Sequence, residues 1–495
     1  MTVTPVNVVA SAVSVPTLPG LPARADTSGV VAQMVRRAAS RDFQTWWDNA
    51  ENAGFCANPV RLIGTNSLGR EHRVWTRCNN RRAIACPSCS DLYARDTWQL
   101  VHAGLHGGHH DLPRTVAEHP QVFVTLTAPS FGAVHTTRDD GQRGQARPCH
   151  DQGRKRCQHG RPLWCSSIHH EGDAHVGQPL CEDCYDYTGH VLFAWHAPEL
   201  WRRFTIALRR LLRRRLRALG ESPTAARINF VKVTEMQRRA IPHFHAVIRL
   251  DEPPEPGQPP TPPNSSITAT DLALLIHQAA SGVALTVADP ARASEIGGRV
   301  IQFGTQTDAR PLHSGSSDCD AAMPRQSRRS VAAYLAKYVT KSVADFGVGI
   351  RRMSPLAVPD LDVTTHVRAI LTTILELADR GAYSGIDRWL HTLGFRGHIT
   401  TKSRLFSTTM GALREHRAEW TREHRHHRSD IATDERPRAL QGAEEMEWAF
   451  DRAGLGNLGE RILVVSAAHR MIENRHLVRA NRWTQDQSPT PDWST

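Results

Sequence analysis

The chain has 495 residues, 40% of them hydrophobic, enough for two or three domains around a sizeable core. A formal net charge of +12 points to a polyanionic partner, most simply nucleic acid. No run of about eighteen apolar residues occurs, so no membrane-spanning helix and no membrane partner are expected.

The N-terminal stretch MTVTPVNVVASAVSVPTLPG is apolar but lacks a basic flank and is broken by prolines. It predicts a mobile leader over residues 1–40 in place of a signal peptide. Two cysteine-rich stretches follow, at 56–89 and 149–184, with the β-rich run QVFVTLTAPS (121–130) between them. Ten cysteines in a chain that reads as cytosolic favour metal sites over disulfides. Cys56, Cys78, Cys86 and Cys89 end in C-x-x-C, as do Cys157, Cys165, Cys181 and Cys184. Such a knuckle presents two thiolates to one tetrahedral Zn²⁺, and each set predicts a structural zinc site. Cys149 and Cys319 are left over as free cysteines.

Residues 199–220 have helical spacing, with Phe204, Leu208, Leu211 and Leu212 along one side and eight arginines over much of the rest. RINFVKVTE and HFHAVIRLD then read as two strands. In the second, His243 and His245 share a face while Phe244, Ala246, Ile248 and Leu250 take the other, buried one. Two imidazoles so placed can ligate one divalent ion, and Glu235 in the preceding strand is the third candidate ligand. The proline-rich stretch 252–266 reads as a linker.

RSVAAYLAKYVTKSVADFG carries an apolar helical stripe of Val331, Leu335, Val339 and Phe346. Tyr334 and Tyr338 lie one turn apart on it, accompanied by Lys337 and Lys341 in two overlapping Y-x-x-K patterns. The chain has five lysines (155, 232, 337, 341 and 402) among 61 basic residues, so lysine here is not the default cation. A compact ammonium suits a place beside a phosphate or a phenolate. Past residue 350 the chain reads as basic and helical, with the cluster REHRAEWTREHRHHR at 414–428. Gly454, Gly456 and Gly459 satisfy G-x-G-x-x-G, but the preceding EEMEWAFDRA reads as helix where a dinucleotide site needs a strand. No cofactor is expected there.

The order of motifs, a TLT strand, then His-hydrophobic-His, then Y-x-x-K on a helix, resembles the HUH endonuclease superfamily in its replication-initiator branch. AKYVTKSVAD resembles the third motif of small rolling-circle plasmid initiators. PLCEDCYDY and LGFRGHITTKSR resemble the actinobacterial plasmid type, the likeness covering roughly residues 41–425. The resemblance implies an α+β fold with a ferredoxin-like antiparallel sheet carrying the histidines. It implies site-specific nicking of one strand of plasmid origin DNA, single-stranded at the nick, with Mg²⁺ or Mn²⁺ at His243, His245 and Glu235. Tyr338 is the implied nucleophile, aided by Lys341, with Tyr334 and Lys337 as neighbours in the same site. Host helicase and polymerase are the implied partners, and the bacterial cytoplasm the implied compartment.

On this reading residues 41–110 form a cysteine module and 111–350 the nuclease domain with a zinc-ribbon-like insertion at 149–190. Residues 351–495 form the helical C-terminal region. A transposase or mobilisation relaxase of the same superfamily is an alternative, as is a zinc-containing DNA-binding regulator without catalysis.

Overall fold

The computed structural model describes residues 18–22, 25–139, 146–150, 153, 155–170, 172–253, 258–289, 298–312, 328–340, 346–348, 352–381, 383–429 and 446–486, the side chains of 422, 424–429 and 480–486 excepted. The chain divides into two compact units, one of residues 1–92 with 435–495, the other of residues 93–434. The boundaries expected at 110 and 350 do not fall between these units.

In the first unit, Val60–Asn66 pairs antiparallel with Glu71–Thr76 on one side and with Met446–Ala453 on the other. The segment expected to be a mobile leader contains the helix Thr27–Ala38, whose Asp26 cap accepts the Ser28 N–H. This helix packs on the C-terminal helix Leu458–Asp486. Residues 1–17 of that leader lie outside the described residues.

The expectation that EEMEWAFDRA is helical is corrected. Its residues 446–453 form a mostly exposed strand, because pairing with Val60–Asn66 overrides the helical preference of Glu, Met and Ala. The following glycines do not make a dinucleotide cradle. The sheet is antiparallel, and the Gly456 and Gly459 N–H groups already donate to Glu460 and Gln33.

The second unit is α+β and is built on a five-stranded sheet whose strand pairs are all antiparallel. Its order is Thr307–Pro311, Gln121–Leu126, Pro242–Asp251, Arg227–Met236, Thr400–Lys402. The histidine strand Pro242–Asp251 is central and buried along its whole length. One face of the sheet, through Val122, Val124, Phe244, Ala246, Ile248 and Leu250, packs on the helices Tyr187–Ala218, Ala269–Ser281 and Thr365–Asp379. The other face, through Phe123, Val231, Val233 and Val247, packs on Leu100, Val101 and Leu105 and on Val331 and Leu335 of the tyrosine helix.

The arginine-rich helix begins earlier than its periodicity predicts, at Tyr187, capped by Asp186. Phe204, Leu208, Leu211 and Leu212 are buried as expected. Each such side chain contributes about 1.5–3 kcal/mol by leaving water. The arginines of 202–217 face outward. The C-terminal region is not wholly helical, since Thr400–Lys402 supplies an edge strand to this sheet.

At the far end of the histidine strand, Arg249 is fully buried and grips Asp251 at 2.6 Å through Nε. His119 and Asn229 complete the carboxylate's shell, each at 2.6 Å. Burial alone would raise the Asp251 carboxyl, but these partners and the Arg249 charge hold it below the usual carboxylate value.

Candidate functional site

Strand register assembles the site. Thr125 and Val233 stand directly opposite His245 on its two neighbouring strands, and Glu235 stands opposite His243. Opposed residues of an antiparallel pair share a face, so both imidazoles, Thr125 and Glu235 project together. The histidine rings lie 4.6 Å apart. Glu235 Oε2 is 3.1 Å from His245 Nε2, and the Tyr334 hydroxyl is 3.3 Å from that same nitrogen.

The helix Arg328–Tyr338 lays both tyrosines over this pair, with their rings 4.4 Å apart and 5.0 and 5.6 Å from His245. Its buried stripe is Val331, Leu335 and the following Val339, as expected. The helix stops at Tyr338, so Phe346 does not extend the stripe and packs instead at the margin of the opposite core layer. Lys337 is exposed, its ammonium 5.8 Å from the centre of the Tyr338 ring. Lys341 lies outside the described residues.

His243, His245, Glu235, Tyr334 and Tyr338 all line one open cleft of about 1160 Å³. Burial, and then the charges of His245 and Arg239, push His243 down to about 3, so its imidazole is neutral and able to donate a lone pair at neutral pH. Burial likewise pushes the Tyr334 phenol above its usual value. Two further residues position the rings: Thr125, from the TLT strand motif, and Gln237, which carries no signal in the sequence. Thr125 Oγ1 sits 3.2 Å from His245 Nδ1, and the Gln237 amide 3.1 Å from His243 Nδ1. Each engages Nδ1, which leaves Nε2 of the same ring as the nitrogen that could ligate an ion. The donor set of imidazole nitrogens and a carboxylate suits a borderline or hard divalent ion.

Among the described residues the cysteines form three groups, not two. Cys56, Cys78, Cys86 and Cys89 gather in the first unit with sulfur separations of 3.7–3.8 Å. Four thiolates about 2.3 Å from one tetrahedral ion would lie about 3.8 Å apart. The Ala57 and Cys78 N–H groups donate to Cys86 and Cys56 sulfurs, both at 3.3 Å.

The second expected set needs correction. Cys157, Cys181 and Cys184 come together with His159, whose Nδ1 is 3.2 Å from the Cys184 sulfur. Cys165 is not with them. It stands with His135, Cys149 and His169, so Cys149 is not a spare cysteine. Cys165 lies in the strandless loop leading to His169, and hydrogen bonds from Cys149 N–H to Ser167 and from His150 N–H to Cys165 hold that loop against Cys149. Cys319 lies outside the described residues.

Two imidazoles, a carboxylate and paired phenols on one face of an antiparallel sheet define a candidate centre for metal-assisted chemistry by a tyrosine. The chain matches the family described as replication initiator protein, pSAM2 (RepSA), over residues 42–469. It is 35% identical over 470 residues to the replication initiator protein of Streptomyces ambofaciens, covering 91% of this chain and 95% of that one. The chain therefore belongs to this family of replication initiators. No solved structure matches it. Among the described residues no helix is long and apolar enough to cross a membrane.

Proposed function

We propose that the chain initiates rolling-circle replication by cutting one strand of its plasmid origin within an HUH-type, ferredoxin-like domain. The observation that carries this reading is the convergence of His243, His245 and Glu235 with Tyr334 and Tyr338 in one cleft.

The Tyr338 hydroxyl gives up its proton to water as its oxygen attacks the scissile phosphorus and forms the new P–O bond. The bond to the 3′ oxygen breaks, and that oxygen takes up a proton as a free 3′-OH primer. The 5′ phosphate stays on the tyrosine, so the ester bond is conserved and the strand can later be rejoined. His243, His245 and Glu235 would hold a divalent ion, Mg²⁺ or Mn²⁺, which would supply polarisation of the phosphate and neutralisation of developing charge. Thr125 and Gln237 hold the imidazoles in orientation, and the Tyr334 hydroxyl adds a further polar group beside His245. Lys337 offers positive charge near the attacking ring, and Lys341 follows three residues after Tyr338 in sequence.

Zn²⁺ fits the Cys56–Cys78–Cys86–Cys89 group and the Cys157–His159–Cys181–Cys184 group, where it adds folding energy and no chemistry. Host helicase and polymerase would extend the primer in the bacterial cytoplasm.

The test is incubation of the protein with a supercoiled plasmid bearing its own origin. The expected product is a nicked circle carrying covalently bound protein. Binding without a nick under Mg²⁺ and Mn²⁺ would leave a DNA-binding regulator instead.

A further inference from the structure

The third cysteine–histidine group reaches the same cleft as the tyrosines. His135 and His169 both line it, on the side formed by the cysteine-rich insertion. The His135 Nδ1 atom is 3.1 Å from His169 Nε2 and 3.8 Å from the Cys149 sulfur. The Cys165 sulfur is 3.5 Å from His169 Nε2, and all four ligand atoms lie within 4.8 Å of one another. A tetrahedral zinc with bonds of about 2.3 Å to sulfur and 2.05 Å to nitrogen sets edges of about 3.4 Å between imidazoles and about 3.6 Å between imidazole and thiolate. The observed spacings scatter around those edges.

The surroundings match the ligand roles. His169 uses Nε2 toward the group and turns Nδ1 to Asp173 Oδ2 at 2.6 Å, which fixes the tautomer a metal needs and raises the ligand's basicity. The Cys149 sulfur, buried, receives the Thr136 N–H at 3.2 Å and faces His150 Nδ1 at 3.1 Å. The four ligands come from three separate stretches of chain, at 135, 149 and 165–169. Outside these side chains, a few backbone bonds tie the segments, including His135 N–H to Gln178 and Gly177 N–H to His135.

We propose that His135, Cys149, Cys165 and His169 hold a zinc ion of their own, a third structural site, and that this ion fixes the wall of the cleft facing His243 and His245. The wall carries Thr136, Thr137 and His170 into the same space as the tyrosines, where hydroxyl and imidazole groups suit a single DNA strand. That second part rests on the cleft being the nicking site. The zinc site does not.

The test is native mass spectrometry of the purified full-length chain, with bound metal counted and identified. Three zinc ions are expected, falling to two in Cys149→Ser and returning to three in Cys149→His, which restores a ligand. Amide hydrogen exchange on the same samples should show residues 134–138 and 165–177 losing protection in Cys149→Ser, while the histidine strand keeps it. Two zinc ions in the wild type, or an unchanged count in Cys149→Ser, would overturn the site. Unchanged protection of 134–138 with one zinc lost would overturn its role in the wall. If Cys149→Ser does not fold, His169→Cys, which keeps a ligand, should still carry three zinc ions, and two would refute the proposal. Neither reading depends on cleavage, so failure of nicking leaves this result interpretable, and failure here leaves the nicking proposal standing.

Discussion

The Tyr334 hydroxyl and the Glu235 carboxylate meet at one atom, Nε2 of His245, at 3.3 and 3.1 Å. Tyr334 is thus tied to a candidate metal ligand, and its burial makes the phenol harder to ionise. In the proposed mechanism Tyr338, one turn on, is the tyrosine that meets the phosphate. Tyr338→Phe is expected to abolish the covalent protein–DNA adduct while leaving origin binding within about 2-fold. Tyr334→Phe should keep adduct formation within roughly 10-fold and raise the divalent-ion concentration needed for half-maximal rate. Single-turnover adduct formation on an origin oligonucleotide measures both, and a reversed pattern would exchange the two tyrosines' roles.

Metal dependence follows from the neutral His243 and the nearby carboxylate. EDTA should stop nicking, with Mg²⁺ or Mn²⁺ restoring it and Zn²⁺ alone not doing so. His243→Ala should be inactive at any ion concentration. Gln237→Ala removes the contact behind His243, along with the Arg239 Nε–H bond to Gln237 Oε1, and should weaken ion affinity by about 10- to 100-fold while leaving the saturated rate nearly intact. Nicking that persists undiminished in EDTA would remove the ion from the mechanism.

Lys232 predicts a pH effect on stability. It is buried beneath the sheet against Phe244, bonded to Thr234 Oγ1 and the His398 carbonyl, and burial lowers it from 10.5 to about 7. Between about pH 7 and 10.5 the unfolded chain therefore binds more protons at this residue than the folded one, so its contribution to stability rises with pH. Lys232→Met should raise Tm near pH 7, and the gain should shrink as pH climbs toward 10. A gain that stays constant across this range would mean the lysine is protonated in the fold.

The outward arginines of the long helix are suited to phosphates. Arg202 and Arg203 are already paired with Glu199, and Arg215 approaches Asp271, whereas Arg209, Arg213 and Arg217 are exposed. Charge reversal at Arg209, Arg213 and Arg217 should flatten the slope of log K against log salt by about 0.7–0.9 for each phosphate no longer neutralised. An unchanged slope would assign that helix face to solvent.

The histidine strand, the tyrosine helix and the Cys56–Cys89 group were legible because each is a local pattern: period two, period 3.6, and a paired C-x-x-C with two upstream cysteines. The division of the later cysteines was not. Which loop brings Cys165 to Cys149 depends on folding of the insertion, and the Cys-x-x-x-His spacing of Cys165 and His169 is a weaker signal than the C-x-x-C beside it. Thr400–Lys402 is too short to show alternation, and Met446–Ala453 is a strand only because a partner strand is there to receive it. The scarcity of lysine also proved a weaker guide than it looks. Lys232 is buried, and Lys402 is spent on the carbonyls of Ser403, Arg404 and Ser407, so a rare ammonium in this chain can serve packing as well as chemistry.

The clamp of Arg249, Asp251, His119 and Asn229 closes on a carboxylate about six residues, or about 20 Å of strand, from His245. A strand sliding by one position would turn both imidazoles into the apolar layer and bring Phe244 out in their place. Burying Asp251 away from its partners costs several kcal/mol, so the slipped pairing is closed off at the end of the strand remote from the cleft. The clamp is a frame marker: it fixes which residues count as odd and which as even, and the ligand pair inherits its direction from that choice.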